Sequence, residues 1–410
     1  MAQNERITFR LMAFLGMLAA LAPLATDMYL PALPIMHESF PVETSVIQMT
    51  LTATMVGMAI GQIFAGPFSD MLGRKNPLII GMTIFMLASI GCVFANSIEM
   101  FLAFRFLQGL FGSVGIIVAR SVARDVSDGA ALTKVFSMLM LVNGLAPILA
   151  PVVGGQILAF TTWHGVFVLL GIIGLALLIS AIGFSETLPK SRRMKDIISS
   201  FESFPYLLRD KYFLGHCLLQ CFAFGAFFGY IAGSSFLFQD IYGVSAQTYS
   251  FIFGGLGIII MIFGTFPIRF AGKIPDVLML GAALTQALIG ASALLTCILT
   301  HAHIVATIIS LVILVPPISV IGATSFSLAL RGHGNRAGAA SALVGFSSTI
   351  LGAIVTPLVG IAGAMDARPM GIIILVGEIF AIAVFIGLIY ARHKRGYQIS
   401  QAQQRDVASN

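Results

Sequence analysis

Three charged residues, Asp27, Arg105 and Glu378, lie inside long apolar stretches of this 410-residue chain. A carboxylate in such surroundings is costly unless it faces water or a partner, and the low dielectric favours its neutral form. A cation that binds nearby favours the charged form instead. Asp27 is therefore the first candidate for a switch between a proton and a ligand. The alternative is a structural acid at an aqueous vestibule.

Arg105 enters its apolar run to a depth similar to that of Asp27, which lies about 10 Å from the end of its own run. An arginine can hold a carboxylate through two hydrogen bonds, so a pair between them would couple proton and ligand binding. The alternative is an arginine that bonds backbone carbonyls and fixes helix packing, and Gln108 fits either interpretation. For Glu378, packing against a polar neighbour is preferred over proton transport.

The elements that position these residues follow from composition. The chain is 58% hydrophobic and only 10% charged, with a mean hydropathy of +0.97. Lipid demands helices or a closed barrel, and long unbroken apolar runs favour helices. The sequence predicts an all-α membrane protein with roughly twelve spans of about 20 residues. Their predicted limits are 10–33, 44–66, 77–95, 98–120, 133–159, 163–184, 212–238, 246–268, 276–299, 303–328, 337–363 and 369–391.

Orientation follows from the 23 Lys and Arg residues, because cytoplasmic loops carry an excess of them. All except Arg105 and Arg368 fall in the termini or the even-numbered turns. Both termini are therefore predicted to be cytoplasmic. The net charge of +6 is explained by this topology, so no nucleic-acid partner is expected.

Enzyme and metal signatures are missing from the sequence. The four cysteines fall within predicted spans and have no further ligands at metal-site spacing. No Gly-x-Ser-x-Gly or His-Glu-x-x-His motif occurs. We therefore expect no enzyme activity, no metal and no cofactor.

The longest polar stretch, 185–211, separates six predicted spans from six. We predict an N-terminal bundle over 1–184, a cytoplasmic linker over 185–211, a C-terminal bundle over 212–391 and a cytoplasmic tail over 392–410. Within the linker, 196–208 is either a short amphipathic surface helix or a flexible connector.

A charged motif follows the second predicted span. It comprises Gly66, Asp70, Gly73, Arg74 and Lys75. Together with six plus six spans, this motif resembles the major facilitator superfamily. The corresponding segment of the second half, 266–276, has basic residues but no acid matching Asp70.

Further segments narrow the resemblance to proton-coupled drug exporters, and most closely to the Bcr/CflA bicyclomycin and chloramphenicol resistance group. These segments are 26–34, 105–109, 146–155 and 337–343. The segment 146–155 is similar to the antiporter motif, with Ala150 where that motif usually has glycine.

The resemblance implies an inner-membrane, monomeric antiporter with two six-helix bundles, which exchanges protons for a small amphipathic drug. An exporter of a metabolite, siderophore or sugar is the alternative. Coupling falls to Asp27 and Arg105. The expected substrate-cavity residues are Tyr29, Gln108, Phe224, Phe227 and Phe228.

Two further sets of roles come with the resemblance. Asp70 is expected to meet the start of span eleven, near Arg336 and Ala337, and to latch the halves. The gating set is Asp70, Gly73, Arg74, Lys75, Arg124 and Asp125. The antiporter helix, which packs between the halves, is expected to limit leak across the membrane. Its expected residues are Pro147, Pro151, Gly154 and Gly155.

Overall fold

A computed structural model describes residues 9–127, 129–194, 203–270, 273–330 and 337–391, and in these ranges the chain is helical with short connections and no strand. The helices are α1 (Phe9–Asp27), α2 (Leu33–Ser39), α3 (Thr44–Leu72), α4 (Lys75–Val93), α5 (Ile98–Val126), α6 (Gly129–Phe160), α7 (His164–Gly183), α8 (Ser203–Arg209), α9 (Lys211–Phe236), α10 (Ala246–Gly264), α11 (Phe266–Arg269), α12 (Asp276–Leu299), α13 (Ile304–Leu314), α14 (Pro317–Leu330), α15 (Ala337–Val359) and α16 (Arg368–Val384). A 3₁₀ turn, Leu30–Ala32, joins α1 to α2, and π-helical segments, Leu237–Ile241 and Phe385–Tyr390, extend α9 and α16.

Over the described ranges, eleven helical stretches are long and apolar enough to cross a membrane. The apolar end of α6, Gly144–Phe160, is a shorter twelfth. An all-α membrane protein with about twelve spans was predicted, and the structure confirms it. The first span includes α1 and α2, and the tenth includes α13 and α14.

The helices form two packed groups. In the first, α1 and α3–α7 pack on one another, and in the second, α9, α10 and α12–α16 do so. Glycines allow close approach within the first group, because a Cβ on Gly57 of α3 would lie 2.2 Å from the carbonyl oxygen of Phe106 in α5. The two groups, here called the N-half and the C-half, meet where α3 packs along α15 and α6 along α10.

The two ends of this array are named by the loops they carry. The motif end carries the turn between α3 and α4, and the far end carries the loop 28–43 between α1 and α3. At the motif end the predicted boundaries were wrong, since α3 continues to Leu72 and α5 to Val126. Asp70 therefore lies in the last turn of α3. The connection to α4 is only Gly73, with φ of 92°, and Arg74.

Candidate functional site

Asp27 lies at a break in the first span. It was predicted about 10 Å inside a continuous helix, but it is the last residue of α1. The break has a local cause, because Pro31 lacks the N–H that would continue the helix onto the Asp27 carbonyl. The Asp27 residue is 6% exposed. A buried acid thus lies where the helix geometry changes.

The surroundings of Asp27 belong to both halves. Its carboxyl lies within electrostatic range of Tyr230 in α9 and Tyr249 in α10, while the neighbouring Thr26 hydroxyl donates to the Ala22 carbonyl of its own helix. Among the described residues, no cationic side chain forms an ion pair with Asp27. The acid therefore lies beside the C-half without a counter-charge.

Arg105 is fully buried in α5, and the groups that it hydrogen-bonds are neutral. One terminal nitrogen donates to the Ala25 carbonyl at 2.9 Å and to Gln108 Oε1. Gln108 Nε2 donates onward to Ser89 Oγ at 2.8 Å. The guanidinium lies 4.1 Å from the ring centroid of Tyr29, a cation–π contact. In this conformation Arg105 bonds to a backbone carbonyl and not to Asp27, as the alternative interpretation described.

Two guanidinium nitrogens of Arg105 remain available. Nε and one terminal nitrogen are buried without a hydrogen-bond partner. The carbonyl that the other nitrogen holds belongs to Ala25, two residues before Asp27. The arginine is thus bonded to the helix that ends at Asp27, and it keeps unused donors.

The predicted cavity aromatics lie in α9 but face different neighbours. A Cβ added at Gly352 of α15 would lie within 2.4 Å of the Phe228 ring and 2.6 Å of the methyl group of Met55 in α3, so Phe228 lies where the halves meet. Phe227 lines an internal space of the C-half, and Phe224 packs beside Gly322 of α14. Of these three phenylalanines, Phe228 is the one whose described contacts lie between the halves.

The far end is closed by hydrogen bonds between the halves. Among the described residues, the four bonds nearest this end run from a neutral side chain to a backbone carbonyl, as does a deeper one from Thr52 Oγ1 to Ala353 O at 2.9 Å. The four are Ser235 Oγ to Leu30 O at 2.7 Å, Gln239 Nε2 to Pro31 O at 3.1 Å, Gln48 Nε2 to Ala232 O at 3.2 Å and Gln247 Nε2 to Gly155 O at 3.1 Å. Two of the acceptors lie in the 3₁₀ turn that follows Asp27, so the break in the first span is directly fastened to α9.

The antiporter helix completes this closure. The predicted residues Pro147, Pro151, Gly154 and Gly155 all lie in α6. A Cβ on Gly154 would lie 1.8 Å from the carbonyl oxygen of Met28, and one on Gly155 would lie 2.2 Å from Ser250 Oγ in α10. Both distances are shorter than real Cβ contacts. The glycines therefore permit α6 to touch the break and the C-half together.

At the motif end, Arg74 binds the two predicted acids. Arg74 Nε donates to Asp125 at 2.7 Å, and a terminal nitrogen donates to Asp70 at 2.5 Å and to Ser69 Oγ at 2.9 Å. Arg124 does not join this network, and its guanidinium lies 3.5 Å from Ser121 Oγ. The expected contact of Asp70 near Arg336 falls outside the described residues, as do the side chain of Ala337 and most of the predicted linker helix.

The turn itself is held by a carboxylate that the sequence did not single out. Glu186, just after α7, accepts from the backbone N–H groups of Arg74 at 2.8 Å, Lys75 at 3.3 Å and Leu188 at 2.9 Å, and it pairs with Arg193 at 3.4 Å. Burial raises the pKa of this carboxyl, but the backbone donors and Arg193 outweigh burial and leave the pKa below its ordinary value. A carboxylate at the start of α4 is also favoured by the helix dipole.

A sequence model of the Major Facilitator Superfamily matches residues 15–357. The chain belongs to this superfamily. Its all-helical fold, its span number and the motif of α3 and α4 agree with that membership.

Relatives within the superfamily cover nearly the whole chain. It is 42% identical over 383 residues to an uncharacterised transporter of Bacillus subtilis, YdgK, covering 92% of this chain and 95% of the relative. It is 33% identical to the bicyclomycin resistance protein homologue of Haemophilus influenzae, covering 90% and 93%. It is 29% identical to the multidrug resistance protein MdtL of Salmonella heidelberg, covering 88% and 90%.

A solved structure with the same fold is that of the nucleoside transporter NupG. The TM-score is 0.73 at 11% sequence identity, over 92% of this chain and 98% of that one. At this identity the likeness concerns the superfamily fold alone. The chain is accordingly a multi-pass membrane transporter.

Sequence reasoning about this superfamily member missed the residues that fasten the halves. Gln48, Ser235, Gln239 and Gln247 are neutral, and none belongs to the motifs that carry the resemblance. A signal was present, since polar side chains near the ends of apolar spans need partners in lipid. The partner could not be named, because a backbone carbonyl leaves no mark in the sequence.

Proposed function

We propose that this transporter is a proton-coupled antiporter that exports small amphipathic drugs by alternating access. The names of two relatives, a bicyclomycin resistance homologue and a multidrug resistance protein, support the drug class. Proton coupling rests on the site. The single observation that carries it is Asp27, a buried acid with no ion-pair partner among the described residues, placed at a helix break where the two halves touch.

Asp27 lies where movement of the halves should change its protonation state. In the closed far end its carboxyl is shielded from water, and burial without a counter-charge favours the protonated form. Separation of the halves would expose the break to water, where the carboxyl ionises and a cationic or polar drug group can bind. Proton and drug thus compete for one carboxyl, which is the requirement for exchange.

Arg105 is proposed as the second member of the exchange site. Its unpartnered nitrogens can receive the Asp27 carboxylate once the proton leaves and the halves move, because the arginine already bonds the last turn of the helix that carries this acid. Such a pair would keep the acid charged until a proton or drug displaces it. Tyr29 and Gln108 hold the guanidinium in place on either side, and Phe228 is the aromatic residue best placed to contact a drug at the meeting of the halves.

Orientation and gating complete the proposal. The motif end lies in the cytoplasm of a bacterial cell, with both termini, and the conformation described has its external side closed.

Asp70 is proposed to latch the halves in the outward-open state, while Arg74 and Asp125 fix the turn that carries it. The Asp70→Asn variant should shift the inward-to-outward ratio in a distance measurement, and an unchanged ratio would refute the latch.

The test uses proteoliposomes that contain the full chain and an imposed pH gradient, with bicyclomycin and chloramphenicol as the drugs. We expect drug movement against proton movement in the wild type and its loss in Asp27→Asn. Asp366→Asn is the matched control, because this acid is partly exposed at the far end and pairs with the exposed Arg368 at 2.5 Å. Transport that ignores the gradient, or that persists in Asp27→Asn, would refute the proposal.

Export of a native metabolite, siderophore or sugar is the second candidate function. The relative that is 42% identical carries no substrate in its name, and nucleosides are transported by the superfamily structure with the same fold. Growth protection of a sensitive host against a panel of antibiotics separates the two. Protection that Asp27→Asn abolishes favours drug export, and counterflow of a metabolite without any protection favours the second candidate.

A further inference from the structure

Glu378 is a buried acid that the exchange site does not use. It lies about 15 Å along α16 from its start, at 1.5 Å per residue, and the residue is 3% exposed. One carboxyl oxygen, Oε2, is buried without a hydrogen-bond partner. The sequence favoured packing against a polar neighbour for this residue, and the structure supplies no such neighbour to Oε2.

The carboxyl borders a small internal space in the C-half, about 10 Å³ in volume, which is close to the least that holds one water molecule. The other residues that line it are Ala226, Phe227, Tyr230, Ala287, Leu314, Val315, Ile318 and Ile321. They come from α9, α12 and the α13–α14 span. All are apolar except for the hydroxyl of Tyr230. A carboxyl oxygen without a hydrogen-bond partner and a small internal space therefore lie side by side.

Among the described residues that line this space, no charged group faces Glu378. From α9 the one titratable lining residue is Tyr230, and the lining residues of α12 and of the α13–α14 span are aliphatic. Within its own described helix, Arg368 lies ten residues away at the exposed far end. An ionised carboxylate here would be uncompensated in a low dielectric, which is costly. In this conformation the carboxyl keeps its proton.

The space lies beside a second helix break. Pro316 and Pro317 separate α13 from α14 and remove the N–H groups that would bond the carbonyls of Val312 and Ile313. Gln286 of α12 replaces one of them, since its Nε2 donates to the Ile313 carbonyl at 3.2 Å. Sharp bends at prolines are places where a helix can change direction. Movement at this break would change access of water to Glu378.

Tyr230 connects this space to the first acid. Its ring lines the wall beside Glu378, lies within electrostatic range of Asp27 and stacks on Phe253 of α10 with centroids 5.8 Å apart. A displacement of α9 would therefore change the surroundings of both carboxyls. The two acids lie in different halves, Asp27 at a proline-associated break of its own span and Glu378 beside such a break in a neighbouring span.

We propose that Glu378 is a second proton-binding site, which holds its proton while the far end is closed and exchanges it when the α13–α14 break admits water. The binding and exchange of the proton do not depend on drug export. The use of that proton in coupling rests on the proposed function.

The first experiment needs no drug. Infrared spectroscopy of the full chain in proteoliposomes follows the C=O band of protonated carboxyls as the pH is raised. Because Asp27 is also proposed to be protonated, we expect two overlapping components of this band at neutral pH. Glu378→Gln removes one component, which persists in Asp27→Asn and disappears reversibly at higher pH. A band that Glu378→Gln does not change, or one that never titrates while the protein stays folded, would overturn the proposal.

The second experiment measures protons moved per drug molecule. Glu378→Gln keeps the shape of the side chain, so it should fold and should move one proton fewer than the wild type. Glu378→Asp keeps an acid and should restore part of the loss. An unchanged ratio in Glu378→Gln, together with a titrating band, would overturn the coupling role. Loss of gradient dependence in the wild type would instead count against the proposed function.

Discussion

The far end and the motif end of this transporter are held together by different chemistry. At the far end, neutral side chains of one half donate to backbone carbonyls of the other, as Ser235 does to Leu30. At the motif end, the described charges pair inside the N-half and with its following segment, as Arg74 does with Asp125 and Asp70. The contacts that must open during transport are therefore uncharged here, and the buried charges stay within one moving body.

The free energies of the two kinds of contact explain why neutral hydrogen bonds at the far end suit a protein that alternates between two conformations. A neutral hydrogen bond contributes about 1 kcal/mol net, so a few of them can be exchanged for water as the halves separate. Removal of one partner from a buried ion pair costs about 3–5 kcal/mol, because the other charge remains uncompensated. A closure built from buried ion pairs would be harder to reverse.

The largest expected effect comes from Gly154→Ala. The added Cβ would overlap the Met28 carbonyl oxygen at 1.8 Å, and a backbone atom beside the Asp27 break cannot simply turn away. The far end should fail to close, with transport lost and cysteine probes at that end more reactive. Gly255→Ala in α10 is the matched control, since nothing lies within 4 Å of its added Cβ. Normal closure in Gly154→Ala would show that the glycine contact is not needed.

Next in size is Arg74→Gln at the motif end. Arg74 is 5% exposed, and its loss leaves Asp125 and Asp70 without their common cation. We expect destabilisation of about 3 kcal/mol, seen as a lower melting temperature of the purified protein. Arg368→Gln removes an exposed pair of the same type, with a side chain 64% exposed, and should leave the melting temperature unchanged. Equal effects in both variants would contradict the assignment of a buried network.

A smaller effect is expected from Ser235→Ala at the far end. It removes the 2.7 Å hydrogen bond to the Leu30 carbonyl and little else. The loss of about 1 kcal/mol should shift the ratio of closed to open far ends roughly fivefold towards open. Distances between labels on the two halves measure this ratio. Ser292→Ala is the control, because that hydroxyl bonds only within its own helix, and a shift of the same size there would refute the interpretation.

Much of the fold could be predicted from sequence, and the reason is physical. Long apolar runs must be helices in lipid, so the spans and their number followed directly, and the motif 66–75 indicated the superfamily. The site was less predictable. The break at Asp27 depends on how Pro31 is accommodated, and the bond of Arg105 to Ala25 depends on tertiary packing. Equal depth in the membrane permitted a pair between Asp27 and Arg105, but it could not show which atoms Arg105 bonds.

The smallest expected effect concerns Glu186, which fastens the segment after α7 to the turn at the motif end. Its pKa is lowered from an ordinary value of 4.5 by backbone N–H donors and Arg193 despite burial. A lowered folded-state pKa means that its stabilisation is fully present above about 4.5 and is lost as the pH falls through the lower, folded-state value. Protection of the Arg74 and Leu188 amides from hydrogen exchange should therefore fall in acid.

Glu186→Gln supplies the reference for this measurement. Gln cannot ionise, so in this variant the Arg74 and Leu188 backbone amides should show weak protection from exchange at neutral pH. Once the intrinsic exchange rate is subtracted, acidification should cause no additional loss of protection. The far end should not respond, because its fastening side chains, Ser235 and the three glutamines, do not titrate in this range. An acid-induced opening of the far end that Glu186→Gln abolishes would contradict the separation of the two ends and would show that the turn and the closure are coupled.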